Sequence, residues 1–313
     1  YGRHIWENRA IPATEPLMPL SAGVSFVDSA WLTQVLGYGG YLLVGKAAIT
    51  FLFAVAVAAA LGILTRRVYK VTHSALFATV AFGLTLWVEY QQFAVPRPQI
   101  AGFLFFCVLL SMLLKREWSP KNWVVVPVMF ALWANMHGSF IVGLGLLGCF
   151  VAGRAVDLLR RTGQAGVLLR DNRLRRLFLL TELSAIAALL NPYGLSLYTE
   201  VLSFSDNPNL QSIIEWQSLH IRMSQGQAAA IVALILFLVY RISPRRVATA
   251  EVLTLAVFGA AALWSSRMIM WWAPLAGCFA AIHAAAAWRK WQRQEVAPAA
   301  PERASLWTVV SIG

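Results

Sequence analysis

The side chains best suited to chemistry lie in short turns next to Pro, Gly or Trp. The segment PRPQ at 96–99 holds Arg97 between two prolines. Prolines restrict the backbone, so the planar guanidinium is aimed in one direction and can bind a phosphate or a carboxylate. The segment WANMHGSF at 133–140 places Asn135 and His137 in a tight turn, where an imidazole can bind an anion or act as a base near neutral pH.

Two further segments combine charge with tryptophan. The stretch 264–274 (WSSRMIMWWAP) contains Arg267, which lies close to apolar residues on both sides and therefore requires a partner. The stretch 213–222 (IIEWQSLHIR) contains Glu215 and is compatible with a short interfacial helix. These patterns also have purely structural explanations, since tryptophans gather at membrane interfaces and arginines extend to lipid headgroups.

Carboxylates that could act as a general base occur early in the chain, at Glu15 and Asp28. A lone carboxylate in such a segment is often only solvated, so residue type alone does not assign a role. No His or Cys spacing typical of a metal site is present, and the sequence leaves open whether a divalent cation takes part. The three cysteines lie inside apolar runs and are interpreted as small core residues.

The composition indicates the kind of protein that must position these side chains. Of the 313 residues, 59% are hydrophobic and 13% are charged, whereas a soluble domain has about 25% charged residues. This excludes a secreted disulfide scaffold, a disordered chain and a cytosolic enzyme. The formal net charge is +12, which in a membrane protein reports basic cytoplasmic segments and not a nucleic-acid partner.

The apolar runs predict an all-α, polytopic transmembrane bundle of about nine to ten spans with short external interfacial helices. Several runs are shorter than the ~20 residues that a membrane span usually needs. The runs are 36–64, 74–88, 98–114, 123–135, 138–153, 177–190, 227–240, 250–264 and 268–288, with a tenth starting near 305.

Charge predicts the orientation of this bundle. Twenty of the 26 Lys and Arg residues fall in alternate connecting segments, and five fall in the intervening ones. The positive-inside rule then places the basic segments in the cytoplasm and residues 1–35 outside, in a multi-pass membrane protein. The basic segments are interpreted as topology signals that also attract anionic lipids.

The predicted organisation has four parts. Residues 1–35 are expected to form an external loop segment, and residues 36–288 the transmembrane bundle with an external loop at 191–226. Residues 289–304 are expected to be a cytoplasmic linker, and residues 305–313 the start of another transmembrane helix. The sequence begins without Met and ends within an apolar run, so we expect it to be truncated at both ends.

Several segments together resemble bacterial members of the GT-C glycosyltransferase superfamily, relatives of lipid-linked-sugar transferases and protein mannosyltransferases. The likeness covers residues 1–225 in short motifs. They are YGRHIWENRAIPATEP, VDSAWLTQVLGY, RPQ, WANMHGSFIVGL, NPYG and IIEW.

The resemblance implies sugar transfer from a polyprenyl-phosphate donor at the external face of the bacterial inner membrane. It also implies an additional helix and an acidic residue before Tyr1, with Glu15 and Asp28 as the acids available in this chain. On this hypothesis Arg97 and Arg267 bind the donor phosphate. The remaining substrate contacts are predicted at Asn135, His137 and Glu215.

Two other classes fit the same sequence. A transporter would also gather charge around a cavity, although it would be expected to carry ionisable residues at mid-membrane and internal repeats. A non-catalytic membrane subunit of a larger assembly would bury the same polar segments against its partners. The expected partners are a lipid-linked sugar, membrane lipids and, in the second case, other membrane subunits.

Overall fold

The computed structural model describes residues 1–115, 118–204, 210 and 213–295. Apart from an isolated bridge between Thr14 and Ser25, the regular structure of these residues is helical, which confirms the all-α prediction. The described helices are α1 (Gly2–Asn8), α2 (Trp31–Val44), α3 (Ala47–Thr72), α4 (Ala75–Glu89), α5 (Gln99–Leu113), α6 (Asn122–Met136), α7 (Phe140–Thr162), α8 (Gly166–Arg170), α9 (Asn172–Ala187), α10 (Ser196–Ser203), α11 (Ser224–Ile242), α12 (Thr249–Trp264) and α13 (Ile269–Glu295).

Four of the described helices are long and apolar enough to cross a membrane: α3, α7, α11, and α13 with the turn before it. Large apolar side chains point away from the bundle on these helices, for example Phe51, which is 67% exposed, and Phe237, which is 61% exposed. Contiguous apolar surface of this kind is unfavourable in water and favours a lipid environment. Helices α4, α5, α6 and α12 are apolar but shorter, with 15 or 16 residues each.

Helix α13 lies at the centre of the bundle. Its residues from Ile269 to His283 are all buried, and it packs against α3, α4, α5, α11 and α12. Small side chains allow these close approaches. A Cβ atom on Gly277 would lie only 2.6 Å from Thr85 Oγ1 and 3.0 Å from the carbonyl oxygen of Ala81, both on α4.

The apolar run predicted at 36–64 is two helices. Gly45 has a φ of 72°, which favours glycine, and it ends α2 before α3 begins at Ala47. Helix α2 packs against α1 and α6, while α3 packs against α4 and α5. Lys46, directly after Gly45, is the only charged residue in the run, so hydropathy averaged along the run does not reveal the break.

Several basic segments that were predicted as loops are helix ends. Helix α3 continues through Arg66, Arg67 and Lys70 to Thr72, and α7 continues to Thr162. Lys and Arg are good helix formers and interact favourably with the carbonyl end of the helix dipole. The cations therefore extend the helices beyond the apolar runs.

The structure adds detail to three other segments. Residues 1–35 contain α1, which approaches α2 so closely that a Cβ on Gly2 would lie 2.1 Å from the carbonyl oxygen of Gln34. The helix expected at 213–222 is limited to a 3-10 turn at Ile214–Trp216. The predicted linker 289–304 is helical as far as Glu295, and residues 296–313, including the predicted helix at 305–313, lie outside the described residues.

The bundle has two polar ends. The basic end is formed where α3, α5 and α7 finish and α9 and α12 start, and it contains residues 66–73, 111–115, 154–161, 173–177 and 245–251. The site end contains every sequence-predicted site residue except Glu15, and hydrogen bonds connect its distant segments. Its segments are 28–34, 97–99, 135–139, 190–193, 215–217 and 264–267.

Candidate functional site

Arg97 and Glu215 form an ion pair at the site end. Both terminal nitrogens of the guanidinium donate to the two carboxylate oxygens, which is the bidentate arrangement that Arg makes best. The side chains are 29% and 34% exposed, respectively. Arg97 comes from the proline-flanked start of α5 and Glu215 from the 3-10 turn. Two residues predicted to contact substrate are thus bound to each other.

The turn that carries Glu215 is fixed to the start of α13. The hydroxyls of Ser265 and Ser266 donate to the carbonyl oxygen of Glu215 at 3.3 and 3.0 Å. The backbone N–H of Ser266 donates to the carbonyl oxygen of Gln217 at 2.8 Å. These bonds bring residues about 50 positions apart into one rigid corner, so Arg267 lies beside the Arg97–Glu215 pair.

Arg267 is held by neutral groups. Its Nε donates to Gln99 Oε1 at 2.8 Å, and its guanidinium lies over the Trp216 ring with 5.2 Å between the guanidinium carbon and the ring centroid. No carboxylate of the described residues forms an ion pair with it. Arg267 is half-buried. It is therefore oriented by its neighbours while its charge stays available to an anion.

His137 lies in the turn between α6 and α7. Its Nδ1 accepts a hydrogen bond from the backbone N–H of Ser139 at 3.0 Å, so a neutral ring carries its proton on Nε2. Burial and the nearby charge of Arg267 lower the pKa of His137. The imidazole is consequently neutral at physiological pH and offers one N–H donor.

Gly138 lies between α10 and the N-terminal segment. A Cβ atom on Gly138 would lie 2.9 Å from Val201 Cγ2 on α10 and 3.4 Å from Ser29 Oγ. A side chain there would crowd Val201, whereas the distance to Ser29 is an ordinary van der Waals contact. The turn that carries His137 thus lies beside Ser29, the residue after Asp28.

Asn135 forms hydrogen bonds that connect the start of α2, helix α6 and the segment after α9. Its Oδ1 accepts from Trp31 Nε1 at 3.0 Å, and its Nδ2 donates to the carbonyl oxygens of Ala131 and Leu190, each at 2.7 Å. Thr33 adds a parallel bond to the carbonyl oxygen of Met136 at 2.7 Å. Both amide protons and the carbonyl of Asn135 are engaged, so in this arrangement the side chain positions the start of α2.

Asp28 is buried beside these hydrogen bonds, with 3% of its surface exposed. Its Oδ1 accepts from the N–H of Ala30 and from Gln34 Nε2, both at 3.0 Å, while its own N–H donates to the Tyr193 hydroxyl at 3.0 Å. Its Oδ2 has no hydrogen-bond partner, and neither has Gln34 Oε1. Burial raises the pKa of Asp28 above its usual range, against the lowering effect of the two hydrogen bonds.

Glu15 is occupied locally. Its Oε2 accepts from the Tyr1 hydroxyl at 2.8 Å, and its Oε1 accepts from the N–H groups of Leu17 and Met18 at 2.8 and 3.0 Å. Both carboxylate oxygens therefore stabilise the N-terminal turns. Of the two acids proposed from the sequence, Asp28 is the one with a free oxygen.

The predicted site residues fall into two neighbouring groups. Arg97, Glu215 and Arg267 form one group, and Asp28 and Asn135 form the other, with His137 between them. Glu15 belongs to the N-terminal turns. Gln34, Gln99 and Tyr193 were not predicted as site residues, although each holds one of the predicted side chains. Only polarity inside an apolar stretch could have indicated them.

Polar groups inside the helices were also missed. His283 Nε2 lies 2.9 Å from Glu251 Oε2, and Tyr240 donates to the same carboxylate oxygen at 3.3 Å. Glu89 is fully buried at the end of α4, and neither of its carboxylate oxygens has a partner. In the described part of the chain no group of three His, Cys, Asp or Glu residues could hold a metal ion.

The described residues define an all-helical fold with two polar ends, in which four helices are long and apolar enough to cross a membrane. No known protein family matches the chain, and neither a curated protein nor a solved structure matches it. The function must therefore be argued from the geometry of the site end.

Proposed function

We propose that the protein is a membrane glycosyltransferase of the GT-C type that transfers a sugar from a polyprenyl-phosphate donor to an acceptor hydroxyl. In this proposal the basic end faces the cytoplasm, the site end lies at the external face, and the membrane is the bacterial inner membrane. The distribution of Lys and Arg supports this orientation.

The observation that carries the proposal is the unfilled acceptor pair at Asp28. Buried polar atoms in proteins nearly always have hydrogen-bond partners, so two neighbouring unfilled acceptors mark a place for a donor. Asp28 Oδ2 and Gln34 Oε1 both require such a donor. A hydroxyl is a donor of suitable size. A carboxylate with a raised pKa is also a stronger base than an ordinary Asp.

The chemistry then divides among three side chains. The acceptor oxygen attacks the anomeric carbon as Asp28 Oδ2 takes its proton, and the bond between that carbon and the phosphate oxygen breaks. The electron pair leaves with the lipid phosphate, whose charge Arg267 stabilises. The Nε2–H of neutral His137 supplies a further donor. The Arg97–Glu215 pair holds the corner that orients Arg267.

The test is donor turnover by the purified protein in phospholipid vesicles. Undecaprenyl-phosphate mannose, glucose and arabinose serve as donors with a mixture of soluble sugars and membrane lipids as acceptors, and release of undecaprenyl phosphate is measured. We expect release from at least one donor, and its loss in Asp28→Asn. Glu7→Gln is the matched control, because Glu7 is an exposed acid paired with Arg3.

Two results would contradict the proposal. A correctly inserted protein that leaves every donor intact is not a transferase of this class, and uptake of a donor without cleavage would favour a transporter. Turnover by Asp28→Asn equal to that of the unchanged protein would exclude Asp28 as the base.

A further inference from the structure

The basic end encloses a cavity of 1080 Å³ that the proposed transfer reaction does not use. Eight Lys and Arg residues line it, against two acids, Asp157 and Glu251. An excess of like charge around one cavity is unfavourable unless counter-charges are supplied from outside. The partners of these residues therefore decide what the cavity can bind.

Both acids are already engaged. Asp157 accepts from the hydroxyl of Thr249 at 2.7 Å, and Glu251 pairs with Arg245 at 3.1 Å and with His283 at 2.9 Å. A third acid outside the lining, Asp171, pairs with Arg154 at 2.6 Å. Among the described residues, direct ion pairs thus neutralise two of the eight cations, Arg154 and Arg245, while Asp157 keeps its charge near Arg154.

Six cations of the lining form no direct ion pair with the described residues, from which 116–117 are excluded; Arg173 is attracted to Asp171 only at longer range. Arg67 illustrates their state: its Nε donates to the hydroxyl of Ser111 at 3.2 Å, a neutral group that leaves the charge uncompensated. Guanidinium and ammonium groups around a cavity bind phosphate well. The six are Arg66, Arg67, Lys70, Lys115, Arg161 and Arg173.

An apolar groove of 1050 Å³ adjoins this cavity. It lies between α3 and α4, and Arg66 lines both the groove and the cavity. Along α3 the groove extends from Thr50 to Tyr69, about 29 Å at 1.5 Å per residue. That length is close to the thickness of the hydrocarbon core, ~30 Å. The groove offers small and apolar side chains such as Ala54, Ala58 and Gly62.

We propose that the cavity and the groove together bind one anionic phospholipid whose headgroup carries at least two negative charges. The phosphates occupy the cavity between Arg66, Arg67 and Arg173, and a hydrocarbon chain lies in the groove. A free phosphate ion would use the cations but would leave the groove empty, and a neutral lipid would use the groove but leave the cations unpaired. A doubly charged lipid satisfies both features.

The test uses cardiolipin as the doubly charged lipid and phosphatidylglycerol as the singly charged one. Native mass spectrometry of the detergent-solubilised protein measures the lipid retained at each concentration. We expect cardiolipin to bind more tightly than phosphatidylglycerol and phosphatidylcholine not to be retained. Arg67→Gln with Arg173→Gln should weaken cardiolipin binding roughly tenfold or more.

The matched control is Arg241→Gln with Arg246→Gln, which removes the same charge from the same end but outside the cavity lining. We expect this variant to bind cardiolipin within about twofold of the unchanged protein, since distant exposed charges are screened. Equal weakening by both double variants would show a general surface attraction and would overturn the proposal.

A second pair of variants tests the groove. Gly62→Phe places a ring in the groove, and Gly83→Phe places one on the exposed face of α4 outside it; at both positions a Cβ atom would meet open space. We expect only Gly62→Phe to weaken cardiolipin binding. Normal cardiolipin binding by Gly62→Phe would overturn the proposal. The proposal would also be overturned if soluble pyrophosphate displaced the lipid from the cavity and bound equally well to the Gly62→Phe and unchanged proteins. That result would identify a site for soluble anions.

Discussion

The two ends of the bundle treat arginine differently. At the site end Arg97 is paired with Glu215, and Arg267 is oriented by Gln99 and Trp216. At the basic end six lining cations form no direct ion pair among the described residues, and the described acids nearby already have other partners. One end therefore fixes its charges in defined directions, whereas the other keeps an excess of charge around a cavity.

This difference indicates different uses. A charge that must act on a reacting bond has to be oriented before the substrate arrives, because reorganisation during the reaction raises the barrier. The binding of a lipid headgroup depends more on how many cationic side chains surround it than on the direction in which each one points. On this account the site end performs chemistry and the basic end binds lipid.

The largest expected effect is on donor turnover, and it compares the oriented Arg267 with the exposed Arg222. Arg267→Gln should lower turnover of the lipid-phosphate donor about 100-fold, since it removes a charge aimed at the leaving phosphate. Arg222→Gln is the control, because Arg222 is exposed in the loop before α11. Donor-turnover assays on both variants measure the effect, and equal activities would remove Arg267 from the mechanism.

Close helix contacts support each end, and glycine substitutions on α7 compare them. A Cβ on Gly153 would lie 2.4 Å from the backbone of Ala250 on α12, whereas a Cβ on Gly143 would lie 2.5 Å from the Trp133 ring. Each Ala substitution should destabilise the protein by about 1–3 kcal/mol. Gly153→Ala should have the larger effect, because the Ala250 backbone moves aside less easily than the Trp133 side chain.

Gly148→Ala, on the same helix, is the control for both substitutions, because its Cβ would meet open space. It should be neutral or stabilising by up to ~1 kcal/mol, as Ala favours the helix. Thermal unfolding in detergent measures all three variants. Equal stability of Gly148→Ala and Gly153→Ala would contradict the close contact between α7 and α12.

A smaller effect is expected for the Arg97–Glu215 pair. A double-mutant cycle with Arg97→Gln and Glu215→Gln should give a coupling energy of about 1 kcal/mol in stability, because the pair is bidentate but partly exposed to solvent. Urea unfolding of the four proteins supplies the cycle. A coupling energy of zero would mean that the pair does not fix the corner around Arg267.

The smallest effect concerns the stability cost of Asp28. Its raised pKa means that the folded state disfavours the carboxylate, so this cost is absent at low pH and grows as the pH rises above the pKa of an unfolded Asp. Asp28→Asn should therefore unfold at a slightly higher temperature than the unchanged protein at pH 7, and the difference should vanish near pH 4. A lower melting temperature at pH 7 would contradict this sign.

Hydropathy predicted much of the helical framework. The runs at 74–88, 98–114, 123–135 and 250–264 correspond closely to α4, α5, α6 and α12. Each run is bounded by charge, Pro or Gly, and these signals are local. Hydropathy does not reveal the break at Gly45, because Lys46 is the only charged residue in an otherwise long apolar run. It does not reveal the basic helix ends either, because Lys and Arg end an apolar run without ending the helix.

The candidate site was predicted by residue type but not by geometry. Arg97 and Glu215 were both selected, yet 118 positions separate them and nothing in one sequence shows that they pair. Asp28 and Glu15 were equivalent as acids in the sequence. Only the hydrogen bonds distinguish the free Oδ2 of Asp28 from the engaged oxygens of Glu15.

The pH dependence of kcat/KM for donor cleavage tests most directly whether Asp28 acts as a base. This profile reports the pKa of the essential base in the free protein. The rate should fall with acid along a limb whose pKa lies above ~3.9, the ordinary value for Asp, since Asp28 must be ionised to accept the proton. A rate that stays constant down to pH 4 would contradict this role of Asp28.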